Sequence, residues 1–136
     1  MPKFIIYFII LFSLHICEKK EEASIFEVNA NISKEKEFTV QAGQEFIIKL
    51  YSSTTSLVLL NKNEKDSVSF IKTEYELEYD KKKQQQLLRD EKGYILYFFK
   101  ANAITEEPKL LKFADAYSYL KESNPVPKLI IKINVN

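Results

Sequence analysis

The side chains that most often perform enzyme chemistry are almost absent from this sequence. The one histidine, His15, and the one cysteine, Cys17, both fall within the first 17 residues. The rest of the chain therefore lacks an imidazole for proton transfer and a thiol for nucleophilic attack or zinc binding. With only 2 glycines, it also lacks a phosphate-cradling loop. We predict a protein that is not an enzyme and that uses no metal and no cofactor.

Paired carboxylates are the remaining group that could act in catalysis. Glu74, Glu76 and Glu78 alternate with aromatic and apolar residues, which places them on one face of a predicted strand. Carboxylates at i and i+2 lie about 7 Å apart, which is close enough for a paired-carboxylate hydrolase. Three lysines follow at 81–83, however, and this mixture of charges is typical of a solvated face. We therefore interpret these carboxylates as surface residues.

The N-terminus has the pattern of an export signal. Lys3 precedes an apolar run over residues 4–12, and the charged stretch that starts at Glu18 ends it. A membrane-spanning helix needs about 20 predominantly apolar residues, which this run does not provide. We predict a signal peptide over residues 1–17, a charged linker over 18–24 and one domain over 25–136. The domain is expected to be secreted, or anchored on the non-cytoplasmic side of a membrane.

Cys17 has two interpretations that the sequence leaves open. Leu14-His15-Ile16-Cys17 resembles a bacterial lipoprotein box, in which the cysteine carries a lipid anchor, although Ile16 stands where a small residue is usual. In the alternative, Cys17 belongs to an ordinary cleaved leader and has no later role. In both cases we expect contact with a membrane only through the leader or the lipid.

The charge balance indicates which partners are unsuitable. The chain has 20 Lys and Arg residues against 19 Asp and Glu residues, and Arg89 is its one arginine. Proteins that bind nucleic acid usually carry a basic excess, and they use arginine for bidentate contacts. We therefore expect the chain to bind no nucleic acid. We also expect it to be a monomer.

Beyond the leader, apolar and polar residues alternate, which is the pattern of half-buried strands. Gly43 predicts a tight turn between two of them, as in a hairpin. The run at 94–99 is apolar on both faces and predicts a central strand. Six to eight short strands with polar turns favour a mostly β protein, an antiparallel β-sandwich. The predicted strands lie at 25–28, 38–40, 46–51, 57–60, 68–79, 94–99 and 128–135.

One segment breaks the period of two. Leu110, Phe113, Tyr117 and Leu120 follow one another at intervals of three and four residues, and prolines bound the segment on both sides. This spacing is typical of an amphipathic helix. We predict one helical insertion near 108–123 that covers an edge or an end of the sandwich, with its apolar face in the core.

Residues 38–50 read Phe-Thr-Val-Gln-Ala-Gly-Gln-Glu-Phe-Ile-Ile-Lys-Leu, and Ser52-Ser53-Thr54-Thr55-Ser56 follows. This segment resembles the start of the chagasin-type inhibitors of papain-like cysteine peptidases. In that family a strand, a Gly turn and a second strand lead into an Asn-Pro-Thr-Thr-Gly loop. Thr54 and Thr55 match this loop, whereas serines replace its Asn, Pro and Gly.

The resemblance implies an immunoglobulin-like β-sandwich that inhibits a peptidase by occluding its active-site cleft with loops from one end. The family's later Tyr-x-Arg-Pro-Trp motif follows a central strand, and Phe98-Phe99-Lys100-Ala101-Asn102 takes that place here. An inhibitor of this kind needs the loop at 52–56, the stretch at 100–106 and the loop at 80–86 at one end of the sandwich. The peptidase-binding residues implied by the resemblance are Ser52, Ser53, Thr54, Thr55, Ser56, Lys100, Ala101 and Asn102.

A second function stays open at the level of sequence. The chain would then be a secreted or lipid-anchored β-sandwich with an adhesive or structural role and no inhibitory activity. Residues 52–56 would form a plain polar loop, because hydroxyl side chains bond to nearby backbone groups and favour loops. The absence of the family's Pro and Gly lowers the rigidity of this loop, and the absence of the Trp removes a binding anchor.

Overall fold

A computed structural model describes residues 22–51, 56–77, 79–80, 85–86 and 93–136 of the chain. The predictions for the leader, for Cys17 and for residues 52–55 lie outside the described residues. The helix of the described part is α1 (Ala116–Lys121). The strands are β1 (Ser24–Asn29), β2 (Glu35–Val40), β3 (Glu45–Tyr51), β4 (Leu57–Leu59), β5 (Val68–Leu77), β6 (Tyr79–Asp80), β7 (Gln85–Gln86), β8 (Gly93–Ala101), β9 (Lys109–Asp115) and β10 (Leu129–Val135).

Within these residues, two four-stranded sheets pack face to face. Sheet A has the strand order β1-β3-β8-β5, sheet B has the order β2-β10-β9-β4, and β6 pairs with β7 alone. The predicted β-sandwich is confirmed, but the prediction that it is wholly antiparallel is wrong. β1 runs parallel to β3, and β2 runs parallel to β10. The reason is that β1, β2 and β3 cross from one sheet to the other and back, so β3 returns beside β1 in the same direction.

The alternating apolar residues meet in one core between the sheets. Phe46 and Phe99 stack within sheet A with ring centroids 5.3 Å apart. Tyr97 of sheet A meets Phe113 of sheet B edge to face at 5.1 Å, which joins the two layers. Burying one such side chain stabilises the fold by about 1.5–3 kcal/mol. The largest fully buried side chains are Phe46, Phe99, Phe113, Ile48, Leu50, Leu129, Ile131 and Ile133.

The turn at Gly43 is confirmed, but the hairpin is not. Gly43 has a φ of 86°, which a residue without a side chain adopts at little cost. Its N–H donates to the Ala101 carbonyl of sheet A at 2.7 Å, while the Ala42 N–H donates to the Asn136 carbonyl beside sheet B at 2.9 Å. The turn is therefore an arch that links β2 of sheet B to β3 of sheet A. Val40 and Phe46 are buried in this arch as they would be in a hairpin, so the alternation alone does not separate the two.

The predicted helix over 108–123 is right only for its second half. Residues 109–115 form the strand β9, which pairs with β10 on one side and with β4 on the other. These two strands, together with Leu60 and Asn61 beyond β4, satisfy the backbone hydrogen bonds of β9. Leu110 and Phe113 point to opposite faces of the sheet. Phe113 is buried, whereas Leu110 is 36% exposed. The prediction that the helical face lies in the core is also wrong, because Leu120 of α1 is exposed.

The strand directions define two ends of the sandwich. At the first, which we name the loop end, β1, β3, β5 and β9 finish and β2, β4, β8 and β10 begin. At the opposite end, the far end, lie the Gly43 arch, the end of β8 and the start of β1. The Gln44 side-chain amide donates to the Ser24 hydroxyl at 2.9 Å, so the chain enters β1 beside the arch.

Two substitutions in β9 distinguish the strand from a helix. We expect Phe113→Ala to lower the free energy of unfolding by about 3–5 kcal/mol, because it leaves a cavity in the core. Leu110→Ala should cost less than about 1 kcal/mol, because Leu110 lies on the outer face. Urea unfolding followed by circular dichroism measures both values. Equal large losses for the two variants would indicate that they share a buried helical face and would contradict the strand.

Candidate functional site

Besides the turn from β1 to β2, the loop end brings together three connections between strands. The connection at 52–56 follows β3, the connection at 78–92 links β5 to β8, and the connection at 116–128 links β9 to β10. Sheet A joins the first two, because Tyr51 of β3 and Glu76 of β5 both pair with Tyr94 of β8. The described residues of these two connections are Ser56, Tyr79–Asp80 and Gln85–Gln86.

Ser56 places the first connection beside the third. Its carbonyl accepts a hydrogen bond from the Ala116 N–H at 2.9 Å, at the point where α1 begins. The next residue, Leu57, accepts a hydrogen bond from the Tyr97 hydroxyl at 2.5 Å, which fixes β4 to the inner face of sheet A. The residues that follow the 52–55 segment are therefore held by both sheets.

The structure does not bring residues 100–102 to the loop end. β8 runs antiparallel to β3, so Lys100 pairs with Glu45 at the far end. Ala101 is completely buried, so its side chain cannot form part of a contact surface. The Asn102 amide donates to the Ser69 hydroxyl at 2.6 Å, on the strand next to it. The expectation that Lys100, Ala101 and Asn102 lie beside residues 52–56 is wrong.

The 116–128 connection lies at the loop end beside Ser56, where residues 100–102 were expected. The sequence did not indicate this connection as part of a candidate site. Asp115 holds both of its ends. The carboxylate caps α1 by accepting from the Ser118 N–H at 2.8 Å and from the Ser118 hydroxyl at 2.9 Å. The Lys128 ammonium lies 3.0 Å from the same carboxylate. The Asp115-x-x-Ser118 spacing is the sequence signal that could have shown this helix start.

The hydrogen bonds around Asp115 change its acidity. The backbone N–H of Ser118 and then the Lys128 ammonium hold the pKa of the Asp115 carboxyl at about 2, below its ordinary value of 3.8. Both favour the ionised form, because each donates to the carboxylate. The carboxylate therefore keeps its negative charge, and with it the two contacts, in moderately acidic solution.

Exposed apolar side chains are concentrated at the loop end. The four most exposed large hydrophobic residues of the described part are Ile32 (82%), Leu120 (81%), Tyr75 (78%) and Val126 (76%). Ile32 lies in the turn from β1 to β2, Tyr75 near the end of β5, and the other two in the 116–128 connection. These residues make the loop end the more apolar of the two ends of the sandwich.

The described residues show no sign of a catalytic or metal site. They contain no cluster of His, Cys, Asp and Glu that could hold a metal ion. Glu74 pairs with Lys72 at 2.7 Å and Glu76 pairs with Lys49 at 3.4 Å on the outer face of sheet A. The interpretation of these carboxylates as surface residues is confirmed, while Glu78 lies outside the described part. No helix in the described ranges is long and apolar enough to cross a membrane.

Comparisons with known proteins bear on the fold. No protein-family model matches the chain, and no curated protein matches it significantly. Among solved structures, the crystal structure of the cysteine protease inhibitor EhICP2 from Entamoeba histolytica is similar, with a TM-score of 0.50 and 9% sequence identity. The match covers 85% of this chain and 99% of that chain.

The fold is an immunoglobulin-like β-sandwich. At 9% identity the likeness concerns the fold alone.

The acidity of Asp115 gives a pH-dependent prediction. Because its pKa is lower in the folded chain than its ordinary 3.8, its contribution to stability is complete above about pH 4 and is lost as the pH falls towards about 2. Unfolding free energies measured in urea at several pH values should show that Asp115→Asn destabilises the chain above pH 4, with a difference that shrinks below it. Glu107→Gln, at an exposed carboxylate beyond β8, is the control. A difference between parent and Asp115→Asn that stays constant over this range would contradict the assignment.

Proposed function

We propose that this chain inhibits papain-like cysteine peptidases by inserting its loop end into the active-site cleft. The observation that carries the proposal is a β-sandwich fold similar to that of a cysteine protease inhibitor, with the most exposed apolar residues gathered at one end. An inhibitor of this kind needs no reactive group. It blocks the cleft by steric occlusion from a surface that is ordered before binding.

The proposed contact surface consists of the three connections of the loop end. On the resemblance to the chagasin-type family, Thr54 and Thr55 of the 52–56 connection enter the cleft nearest to the catalytic cysteine. The 116–128 connection forms one flank and replaces the residues at 100–102, while the 78–92 connection forms the other. The two contacts of Asp115 hold the first flank in shape, which lowers the entropy lost on binding.

Export completes this proposal. The sequence pattern of residues 1–17 supports delivery of the domain to the outside of the cell, either free or through a lipid on Cys17. Mass spectrometry of the protein recovered from its native cells tests this directly. A mature chain that starts at Cys17 with an added lipid supports the anchor, a later start supports secretion, and an intact Met1 contradicts export.

Titration against papain tests inhibition. We expect the purified chain to abolish hydrolysis of a fluorogenic peptide competitively, because it occupies the same cleft as the substrate. Thr54→Arg should weaken inhibition by at least about tenfold, since a large charged side chain would be forced against the catalytic centre. No loss of papain activity at micromolar concentrations of the chain would reject the proposal and favour the adhesive or structural role.

A matched pair of charge substitutions tests which end binds. Leu120→Glu, at the loop end, should raise the inhibition constant about tenfold or more, because it places a charge in an apolar contact. Ile104→Glu, at a similarly exposed residue (72%) after β8, should leave it unchanged. Lys100→Ala should also leave it unchanged. A loss of inhibition with Ile104→Glu or Lys100→Ala, and none with Leu120→Glu, would show that the far end binds the peptidase.

A further inference from the structure

A groove opens between the two sheets on the side where β4 and β5 are the outermost strands. Its volume is about 510 Å³, within the range of about 300–1,000 Å³ that is usual for ligand sites. Ser56 and Ala116 lie at its loop end and Lys62 lies towards the other, beyond β4. The apolar residues that line it are Leu57, Val58, Leu59, Phe70, Ile95 and Tyr97.

The groove exists because β5 of sheet A is longer than β4, the strand of sheet B that faces it. β5 has 10 residues and β4 has 3. Beyond a bulge between Phe70 and Lys72, Thr73 pairs with Tyr97 and Tyr75 pairs with Ile95, so both point to the inner side of sheet A. Tyr75 is nevertheless 78% exposed. Within the described residues, sheet B therefore ends before it reaches the second half of β5.

The backbone of β5 borders this groove with an unpaired edge. β5 is the last strand of sheet A, and its bonded neighbour is β8. In the described part of the chain, no other backbone group pairs with residues 72–77. The edge of β4 is less available, because its Leu57 carbonyl already accepts from Tyr97. Burial raises the pKa of the Tyr97 hydroxyl, which therefore remains a donor. An exposed strand edge of this kind is a template for another strand.

The charge of the groove has one sign. Among the residues that the structure describes, its lining contains Lys62 and Lys72 and no acidic residue. The Lys72 ammonium is already paired with Glu74 on the outer face and lies over the Phe98 ring at 4.7 Å. Lys62 is exposed, so it is the cation available to a ligand.

We propose that this groove binds an extended peptide segment of a partner protein by strand addition to β5. Alternate apolar side chains of the segment enter the groove, and an acidic side chain near its C-terminal end meets Lys62. The segment runs antiparallel to β5, which places that end beside Phe70 and Lys72. Main-chain hydrogen bonds to residues 72–77 supply affinity, and the groove selects the side chains. This site goes beyond peptidase inhibition and does not depend on it.

Two other occupants fit the groove less well. An aliphatic chain would cover the edge of β5 without hydrogen-bonding to it, and each buried unpaired backbone group costs about 1–3 kcal/mol. A second copy of the chain that paired antiparallel through β5 and centred on Glu74 would place the two Glu74 carboxylates opposite each other, which is unfavourable. A peptide can hydrogen-bond to the edge of β5, place apolar side chains in the groove and pair an acidic side chain with Lys62.

The test uses the purified full chain and the probe peptide acetyl-Thr-Val-Thr-Val-Thr-Asp-amide, in which the Val and Asp side chains share one face of the extended strand. Nuclear magnetic resonance titration should shift the amide signals of residues 72–77, and hydrogen exchange at this edge should slow.

The same peptide methylated on alternate backbone nitrogens keeps the side chains but loses the hydrogen bonds, so its affinity should fall at least tenfold. Lys62→Glu should weaken the acidic peptide about fivefold and strengthen a peptide that ends in Lys. Lys112→Glu, on the outer face of sheet B, is the matched control.

Each result decides the proposal. Three results together support it: slower hydrogen exchange at residues 72–77, weaker binding of the methylated peptide, and the reversed charge preference of Lys62→Glu. Binding of decanoate but not of the peptide would assign the groove to lipids and overturn it. Sedimentation that shows dimers, abolished by Thr73→Pro, would assign the edge to a second copy and overturn it as well. Absence of any shift at saturating peptide would show that the edge is not available. Papain inhibition measured on the same samples separates failure of this site from failure of the inhibitor proposal.

Discussion

The packing of two apolar sheet faces against each other is the constraint on which the rest of this structure depends. Tyr97 against Phe113 joins the layers, and Phe46 and Phe99 fill the space beside them. The core requires that each strand of the two sheets turns its alternate residues inward. It does not fix the direction of a strand or the strand with which it pairs. The connections between strands therefore emerge at the two ends of the sandwich.

Much of the sandwich could be predicted from the sequence, because a period of two states directly which residues turn inward. The strand at 129–135 shows this, since Leu129, Ile131 and Ile133 alternate with outward residues and all three are buried. The pairing of strands was less accessible. A hairpin and an arch impose the same alternation around Gly43, and they differ only in where the chain goes afterwards. That choice depends on contacts with Ala101 and Asn136, which are distant in sequence.

The errors at the candidate site have the same origin. Leu110, Phe113, Tyr117 and Leu120 imitate a helix because a strand and a short helix follow each other without a break. Leu111 and Phe113 alternate with Lys112, which was the opposing signal for the strand. The end of β8 was assigned to the binding surface from its order along the chain, but the antiparallel direction of β8 carries it away from residue 56. The place of each connection could not be predicted from the sequence, because it depends on the strand directions.

The hydrogen bond between Gln44 and Ser24 has a consequence for how the molecule can be held. Because the polypeptide enters β1 beside the arch, Ser24 lies at the opposite end of the sandwich from the 52–56, 78–92 and 116–128 connections. A tether of any kind on that side, whether a lipid, a fused domain or a solid support, would leave the three connections pointing into the surrounding liquid. Such a tether and the contact surface proposed above would be separated by the length of the strands.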